Sequence, residues 1–320
     1  MGELSLSELV SALRSSSVFR GKSPIRAVAE VLGDRAGAIR NGDDAAALPD
    51  GEGFLLLAAE GIIPALVRGD PYLAGRCAVL ANVNDIYAMG GRPLGMVDVV
   101  GTGDEASLRE LCRGMRDGAA RYQVPIVGGH VLRTSSDVSL SLAILGRARS
   151  LITSFDAKPG ERIVLVTNLD GRWLAEHGYW NATLAKNDAL LVPALELLPA
   201  AAEKGLLRAG KDVSMCGISG TVLMLAECSR VGARLELDRI TPPDGVPLAP
   251  WLLAFMSYGF VLAVDPRQIE ALAAPFRALG LLAADIGEFT AGSKVVLRRG
   301  GEEEVLWDHA REPFTGMGRP

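Results

Sequence analysis

Soft metal ligands are scarce in this 320-residue chain, which offers only four cysteines (Cys77, Cys112, Cys216, Cys228) and three histidines (His130, His177, His309). No two cysteines stand two residues apart and the histidines lie far from them in sequence, so neither structural zinc nor a secreted disulfide framework is expected; reduced cytosolic thiols are the default. A basic surplus is also missing: Lys plus Arg total 33 against 38 for Asp plus Glu, a net charge of −5. That balance argues against a nucleic-acid partner. Aromatics make up only 5%, so little of the fold can rest on ring stacking. The first residues carry early acidic groups and no apolar core segment, so they do not resemble a secretion signal, and the cytoplasm is the expected compartment. One uncharged stretch, Val246 to Val264, is nearly long enough to cross a bilayer. Pro247 and Pro250 would break a helix there, and Ser257-Tyr258-Gly259 interrupts the run. A buried turn followed by a strand, Phe260–Val264, is expected instead, and no membrane partner.

What is abundant is glycine, 37 residues, with 49% apolar and 22% charged residues. These values describe an ordinary globular chain rich in turns and close backbone approaches. The length suits two domains, and the polar turn Asp156-Ala157-Lys158-Pro159-Gly160 suggests a boundary, giving domains 1–152 and 153–320. Apolar spacing predicts short amphipathic helices within the first twenty residues and over Ile25–Leu32. It also predicts a long, mostly buried helix over Pro71–Met89 and an amphipathic helix over Glu105–Tyr122. Strands are expected at Phe54–Ala59, Met96–Val100, Ser139–Leu145, Arg162–Thr167 and Arg234–Leu237, with a closing hairpin around Gly300-Gly301. A helix over Leu184–Lys204 is expected to be fragmented by Pro193 and Pro199. The elements mix without a regular βαβ alternation, so the fold class is α+β.

Two glycine patterns imitate phosphate loops. Gly205 to Lys211 has the spacing of one, but Asp212 stands where a hydroxyl would ligate Mg²⁺. Gly101-Thr102-Gly103 lies between a strand and a helix, yet no ribose-binding carboxylate follows at a second strand end. Their plain reading is turn glycines. The acidic positions say more. Asp43 and Asp44 share a Gly-led turn, Glu60 ends an apolar strand, and Asp212 heads a Gly/Ser-rich segment. Asp85 sits with Asn84 among Ala81, Val83, Ile86 and Met89. A carboxylate so placed is at least partly buried and needs a partner, whether a backbone donor or a cation. Several convergent carboxylates form a hard-oxygen site of the kind that holds Mg²⁺ with substrate phosphates.

These segments carry a resemblance. NGDDAAALPDG, GDPYLAGRCAVLANVNDIYAMGGRPLG, PIVGGH, KDVSMCGISGTVLML and GARLELDRI occur in one order across roughly residues 40 to 265. Together they are similar to the aminoimidazole-ribonucleotide-synthetase-related (AIR synthase-related, PurM-like) superfamily. Its members include that synthetase, thiamine-monophosphate kinase, selenophosphate synthetase and a hydrogenase maturation dehydratase. The resemblance implies an ATP-dependent enzyme of two α+β domains, and a homodimer whose amino-terminal sheets pair into a shared barrel. It implies Mg²⁺ ligation by Asp43, Asp44, Asp85 and Asp212, with Glu60 standing where the family places an Asp. Lys22, Asn84, Gly128, Gly129 and His130 are implied at the nucleotide.

Some activities of the superfamily are not expected here. No cysteine precedes Cys77, so selenophosphate chemistry lacks its thiol, although Lys22 can still reach a phosphate. The last residues, Gly318-Arg319-Pro320, do not include the terminal cysteine of the maturation protein. The expectation is a Mg²⁺- and ATP-dependent kinase or synthetase acting on a small metabolite. The alternative is a nucleotide-binding regulatory or scaffold protein without turnover, suggested by the altered segments Ala58-Ala59-Glu60-Gly61 and Phe255-Met256-Ser257-Tyr258-Gly259.

Overall fold

Local sequence signals set most of the element boundaries in the structure, a computed structural model that describes residues 4–32, 39–133, 138–184 and 187–318. Arg319 and Pro320 lie outside the described residues. Ser5 and Ser16 cap α1 (Leu6–Ser15) and α2 (Ser17–Arg20), and Glu8 completes a capping box at the first. There follow α3 (Ile25–Leu32), β1 (Ala46–Asp50), β2 (Gly53–Gly61), α4 (Pro64–Gly69), α5 (Pro71–Ala88), β3 (Gly91–Gly101), α6 (Glu105–Tyr122), β4 (Ile126–Leu132) and β5 (Ser139–Ala148). The middle of the chain forms β6 (Arg162–Thr167), β7 (Arg172–Leu174), β8 (Tyr179–Asn181), α7 (Asp188–Glu203), β9 (Ala209–Asp212) and α8 (Gly217–Ser229). Last come β10 (Gly232–Glu236), α9 (Leu248–Leu253), β11 (Phe255–Met256), β12 (Gly259–Val264), α10 (Ile269–Ala278), β13 (Leu282–Thr290), β14 (Lys294–Arg299) and β15 (Glu302–Asp308).

The fold is α+β, in two compact units that are each discontinuous in sequence. The smaller comprises Asp44–Leu151 and Thr183–Glu203; the larger comprises Met1–Asp43, Ile152–Ala182 and Lys204–Pro320. The described residues before Asp44 therefore pack with the carboxyl-terminal part of the chain.

In the smaller unit the strands run β1-β2-β5-β3-β4, with β3 and β4 parallel and the other neighbours antiparallel. Helix α5 packs on this sheet and against α6. The two helices approach closely because Gly75 and Gly114 carry no side chain. A Cβ at Gly114 would lie 2.0 Å from the Tyr72 carbonyl oxygen. Alternation along the strands buries Leu56, Met96, Leu142 and Ile144 and leaves Leu57, Val97, Val99, Val131 and Leu145 exposed. The sheet is open, with β1 and β4 at its edges. No closed barrel forms among the described residues.

In the larger unit the order is β15-β14-β10-β13-β6-β12-β9, and a three-stranded sheet β11-β8-β7 lies in the same unit. The buried core joins α1 and α8 to the inner residues of β6, β10, β12 and β13, with Trp180 and Trp251 edge to face at 5.6 Å.

Three expectations change. Helix α7 is continuous through Pro193 and Pro199. Each proline costs roughly 3 kcal/mol in a helix interior, but α7 buries Leu191, Leu195 and Leu198, and each fully buried leucine returns about 1.5–3 kcal/mol. Glu196 also accepts from Tyr87 and Arg92, within the same unit. Ala46–Asp50, for which no strand was expected, is strand β1; Pro49 is tolerated because β1 is an edge. Gly210, expected as a turn glycine, lies with Lys211 within β9, which also removes any phosphate-loop reading of Gly205–Lys211. Among the described residues no helix is long and apolar enough to cross a membrane, and Val246–Val264 contains α9, β11 and β12.

Candidate metal and nucleotide site

Asp85 lies in the last turn of α5, a helix buried on every side, so no register could place this carboxylate in open solvent. Asp85 and Asn84 are 5% and 1% exposed. Asp44, half-buried in the turn before β1, brings a carboxylate oxygen within 4.8 Å of one from Asp85. Two carboxylates at that spacing repel, and the carbonyl ends of α5 add negative potential at its carboxyl terminus. A divalent cation ligated by both oxygens reverses both terms, and the donor set is the hard-oxygen type that suits Mg²⁺. Glu60, in β2 opposite Leu142, is half-buried and not within that distance of both aspartates.

The remaining acidic positions belong to the larger unit. Ser154 grips Asp43: its backbone N–H donates to Oδ2 at 2.8 Å and its hydroxyl to Oδ1 at 2.7 Å. Asp212 ends β9 opposite Phe260 and is buried, and its carbonyl accepts from the Thr221 hydroxyl at 3.3 Å. After it the chain turns through Cys216 (φ 97°) and Gly217 (φ 63°) into α8. Only glycine fits at 217, where a Cβ would meet the Leu252 carbonyl oxygen at 2.4 Å. Lys22, just after α2, and Lys211 both lie close enough to act on Cys216. Burial pushes its thiol up to about 11, Lys22 and Lys211 pull against that shift, and Asp212 adds to it. Two cations and one buried carboxylate thus gather where α8 begins.

Gly128, Gly129 and His130 are exposed on β4, aligned with Val97, Asp98 and Val99 of β3. The Asp98 carboxylate lies flat over Gly129, where a Cβ would come within 2.3 Å of Oδ2. Burial raises the Asp98 carboxyl above its ordinary value. Sequence reasoning missed Asp98, Ser154 and Lys211. A charged residue within the apolar run Met96–Val100 signals Asp98, but nothing local marks Ser154 as the partner of Asp43, 111 residues away.

Residues 42–148 match the model of the AIR synthase related protein, N-terminal domain, and residues 158–300 match that of the C-terminal domain. An uncharacterized protein of Synechocystis sp. is 48% identical over 281 residues, 88% of this chain and 87% of its own. Thiamine-monophosphate kinase of Caulobacter vibrioides is 27% identical over 287 residues, 79% of each chain. Among solved structures, AaThiL complexed with AMPPCP and TMP superimposes with a TM-score of 0.67 at 18% identity, covering 89% of this chain and 96% of that one. Two domain models in tandem, and a relative at nearly half identity over most of both lengths, establish that the chain belongs to the AIR synthase-related family.

Proposed function

We propose that this protein is a Mg²⁺-dependent, ATP-using enzyme that transfers the γ-phosphate to a small metabolite, or uses it to activate an oxygen for ring closure or dehydration. The observation that carries the proposal is the Asp44–Asp85 pair, two carboxylates within 4.8 Å, one of them buried at a helix carboxyl terminus. Asp44 and Asp85 would hold the ion, with the Asn84 amide beside them. Asp43, Glu60 and Asp212 are proposed as further ligands, and Lys22, Gly128, Gly129 and His130 as contacts to the nucleotide. When bound, Mg²⁺ supplies charge neutralisation along the triphosphate. The chain's own part is then to hold the phosphates in place, with Lys22 and Lys211 offering cationic donors. The family supports this reading, and so do relatives named thiamine-monophosphate kinase and selenide, water dikinase.

The protein is further proposed to act as a homodimer in the cytoplasm. Its four cysteines are free thiols, and the smaller unit presents an apolar sheet face that includes Leu57, Val97, Val99, Val131 and Leu145. A second copy of that face is the proposed cover.

Titration calorimetry tests the nucleotide reading directly. Wild-type protein should bind AMPPCP with Mg²⁺ and lose that binding in EDTA, and Asp85→Asn should weaken it at least about tenfold, the loss of one direct charge on the ion. Wild-type affinity in the variant, or no binding by the wild type, overturns the proposal. Release of ADP in the presence of cell-extract metabolites separates an enzyme from a scaffold without turnover.

A further inference from the structure

The last turn of α8 and its cap hold three other segments of the larger unit through four consecutive residues. Glu227, 6% exposed, accepts the backbone N–H groups of Phe314 at 2.7 Å, Thr315 at 2.8 Å and Gly316 at 3.2 Å, and the Thr315 hydroxyl at 2.5 Å. The Cys228 thiol donates to the Gly42 carbonyl oxygen at 3.9 Å. The Ser229 hydroxyl donates to the Ser154 carbonyl oxygen at 2.8 Å and accepts from the Ala157 N–H at 3.1 Å. Arg230 Nε donates to the Gly318 carbonyl oxygen at 3.2 Å. Two of these targets bear directly on Asp43: Gly42 precedes it, and Ser154 donates to both of its carboxylate oxygens, at 2.8 and 2.7 Å.

The segment that Glu227 clamps reaches the same turn from the other side. Met317 lies against Gly42 so closely that a Cβ on the glycine would be 2.6 Å from the Met317 Cβ. Gly42 has φ 116°, so it can adopt this backbone, and leave this space, only as glycine. The segment is also tied to the amino-terminal helices. Arg26 donates to the Pro313 carbonyl oxygen at 2.7 Å, and Phe314 packs edge-on against both Phe19 and Trp307 at 5.3 Å.

We infer that residues 312–318 form a strap that presets the acidic turn, and that Glu227 is the positioning residue that holds the strap down. The inference rests on the metal-nucleotide reading above for its consequence, since the turn carries Asp43 and leads into Asp44. Glu227 touches neither ion nor nucleotide in this scheme; it acts through the strap, Met317 and Gly42. A buried carboxylate satisfied by four donors is costly to disturb, because each donor left behind loses its partner out of reach of water. That makes one side chain sufficient to fix a seven-residue segment.

Two variants test this, Glu227→Gln and Met317→Ala, each read by hydrogen exchange with mass spectrometry and by titration with Mg²⁺·AMPPCP. Both variants should accelerate exchange in the peptide covering residues 39–45 and leave β6 unchanged. Both should weaken Mg²⁺·AMPPCP binding about tenfold, within the usual range of coupling between sites. Exchange that rises only in residues 312–318, with the 39–45 peptide and the affinity as in wild type, overturns the inference: the strap would then be a terminal anchor and nothing more. Met317→Ala removes no buried hydrogen bond, so it decides the matter if Glu227→Gln does not fold. If the wild-type protein binds no nucleotide, the ATP reading fails by itself, and the exchange at residues 39–45 still decides whether the strap holds the turn.

Discussion

Replacing Asp85 by Asn separates the cost of a carboxylate pair from its use. The two groups approach within 4.8 Å, so their repulsion is about 1 kcal/mol in a water-like medium and roughly 3 kcal/mol at an effective dielectric near 20. Asp44 is half-buried and Asp85 buried, so the cost lies between these limits. Position at the carboxyl end of α5 adds about 0.3–1 kcal/mol of the same sign. Asn keeps the shape and removes the charge. In EDTA the variant should therefore melt roughly 3–16 °C above wild type, at the usual exchange rate of about 2–4 °C per kcal/mol. With Mg²⁺·AMPPCP at a hundred times the wild-type dissociation constant, wild type should gain about 2.7 kcal/mol and a variant that binds tenfold more weakly about 1.4 kcal/mol, so the gap between them narrows by about 1.3 kcal/mol. Thermal melts of both proteins in both buffers provide the assay. A variant that is less stable in EDTA and shifts as much as wild type with the ligand refutes the reasoning, because Asp85 would then be a structural hydrogen-bonding group.

Three further outcomes follow from the same structure. Gly114→Ala drives a methyl to within 2.0 Å of the Tyr72 carbonyl oxygen and should cost about 3 kcal/mol by overpacking, seen as a lower urea midpoint. Val97→Lys places a charge in the exposed apolar face of the sheet and should give a monomer in sedimentation at concentrations where wild type is a dimer; a wild-type monomer would refute the covered face. Burial lowers the pKa of His309 from 6.5, against the opposing pull of Glu227 and Asp308. The folded state then refuses a proton that the unfolded chain accepts, so stability holds above about pH 6.5 and falls below it, by at most roughly 1.4 kcal/mol per pH unit. His309→Gln should flatten that slope in pH-dependent melts.

Elements whose stabilising contacts are local were legible from sequence. The spacing of Leu108, Leu111, Met115 and Ala119 predicts α6, which spans Glu105–Tyr122, and the apolar run Arg162–Thr167 is β6. Elements that exist only through a distant neighbour were not. Strand β9 reads Ala-Gly-Lys-Asp and is held by pairing with β12, some fifty residues on. The three-residue strands β7 and β8 depend on each other and on β11. No local spacing encodes the packing of α1 and α2 with the carboxyl-terminal part of the chain. Asp85 was legible because a carboxylate among Val83, Ile86 and Met89 contradicts its surroundings, and contradictions of that kind concentrate at functional sites.

Asp43 and Asp44 show where such reading stops. They are adjacent, identical in chemistry and equally suited to a turn, so composition and spacing treat them alike. Their environments differ. Ser154 directs a backbone N–H and a hydroxyl onto the two oxygens of Asp43, which fixes the carboxylate and draws on its lone pairs, whereas Asp44 presents an oxygen to Asp85. A carboxylate held by two donors is a weaker but better-placed ligand than one that must be drawn in by the ion itself. Because Ser154 is in turn held by Ser229, and Gly42 by Cys228, the placement of Asp43 is decided in the last turn of α8. An acidic pair in sequence therefore resolves into one group set in position by the larger unit and one that faces a second carboxylate within the smaller. Rigidity and charge density are both requirements of a cation site; under the proposed metal reading, Asp43 would meet the first and Asp44 with Asp85 the second.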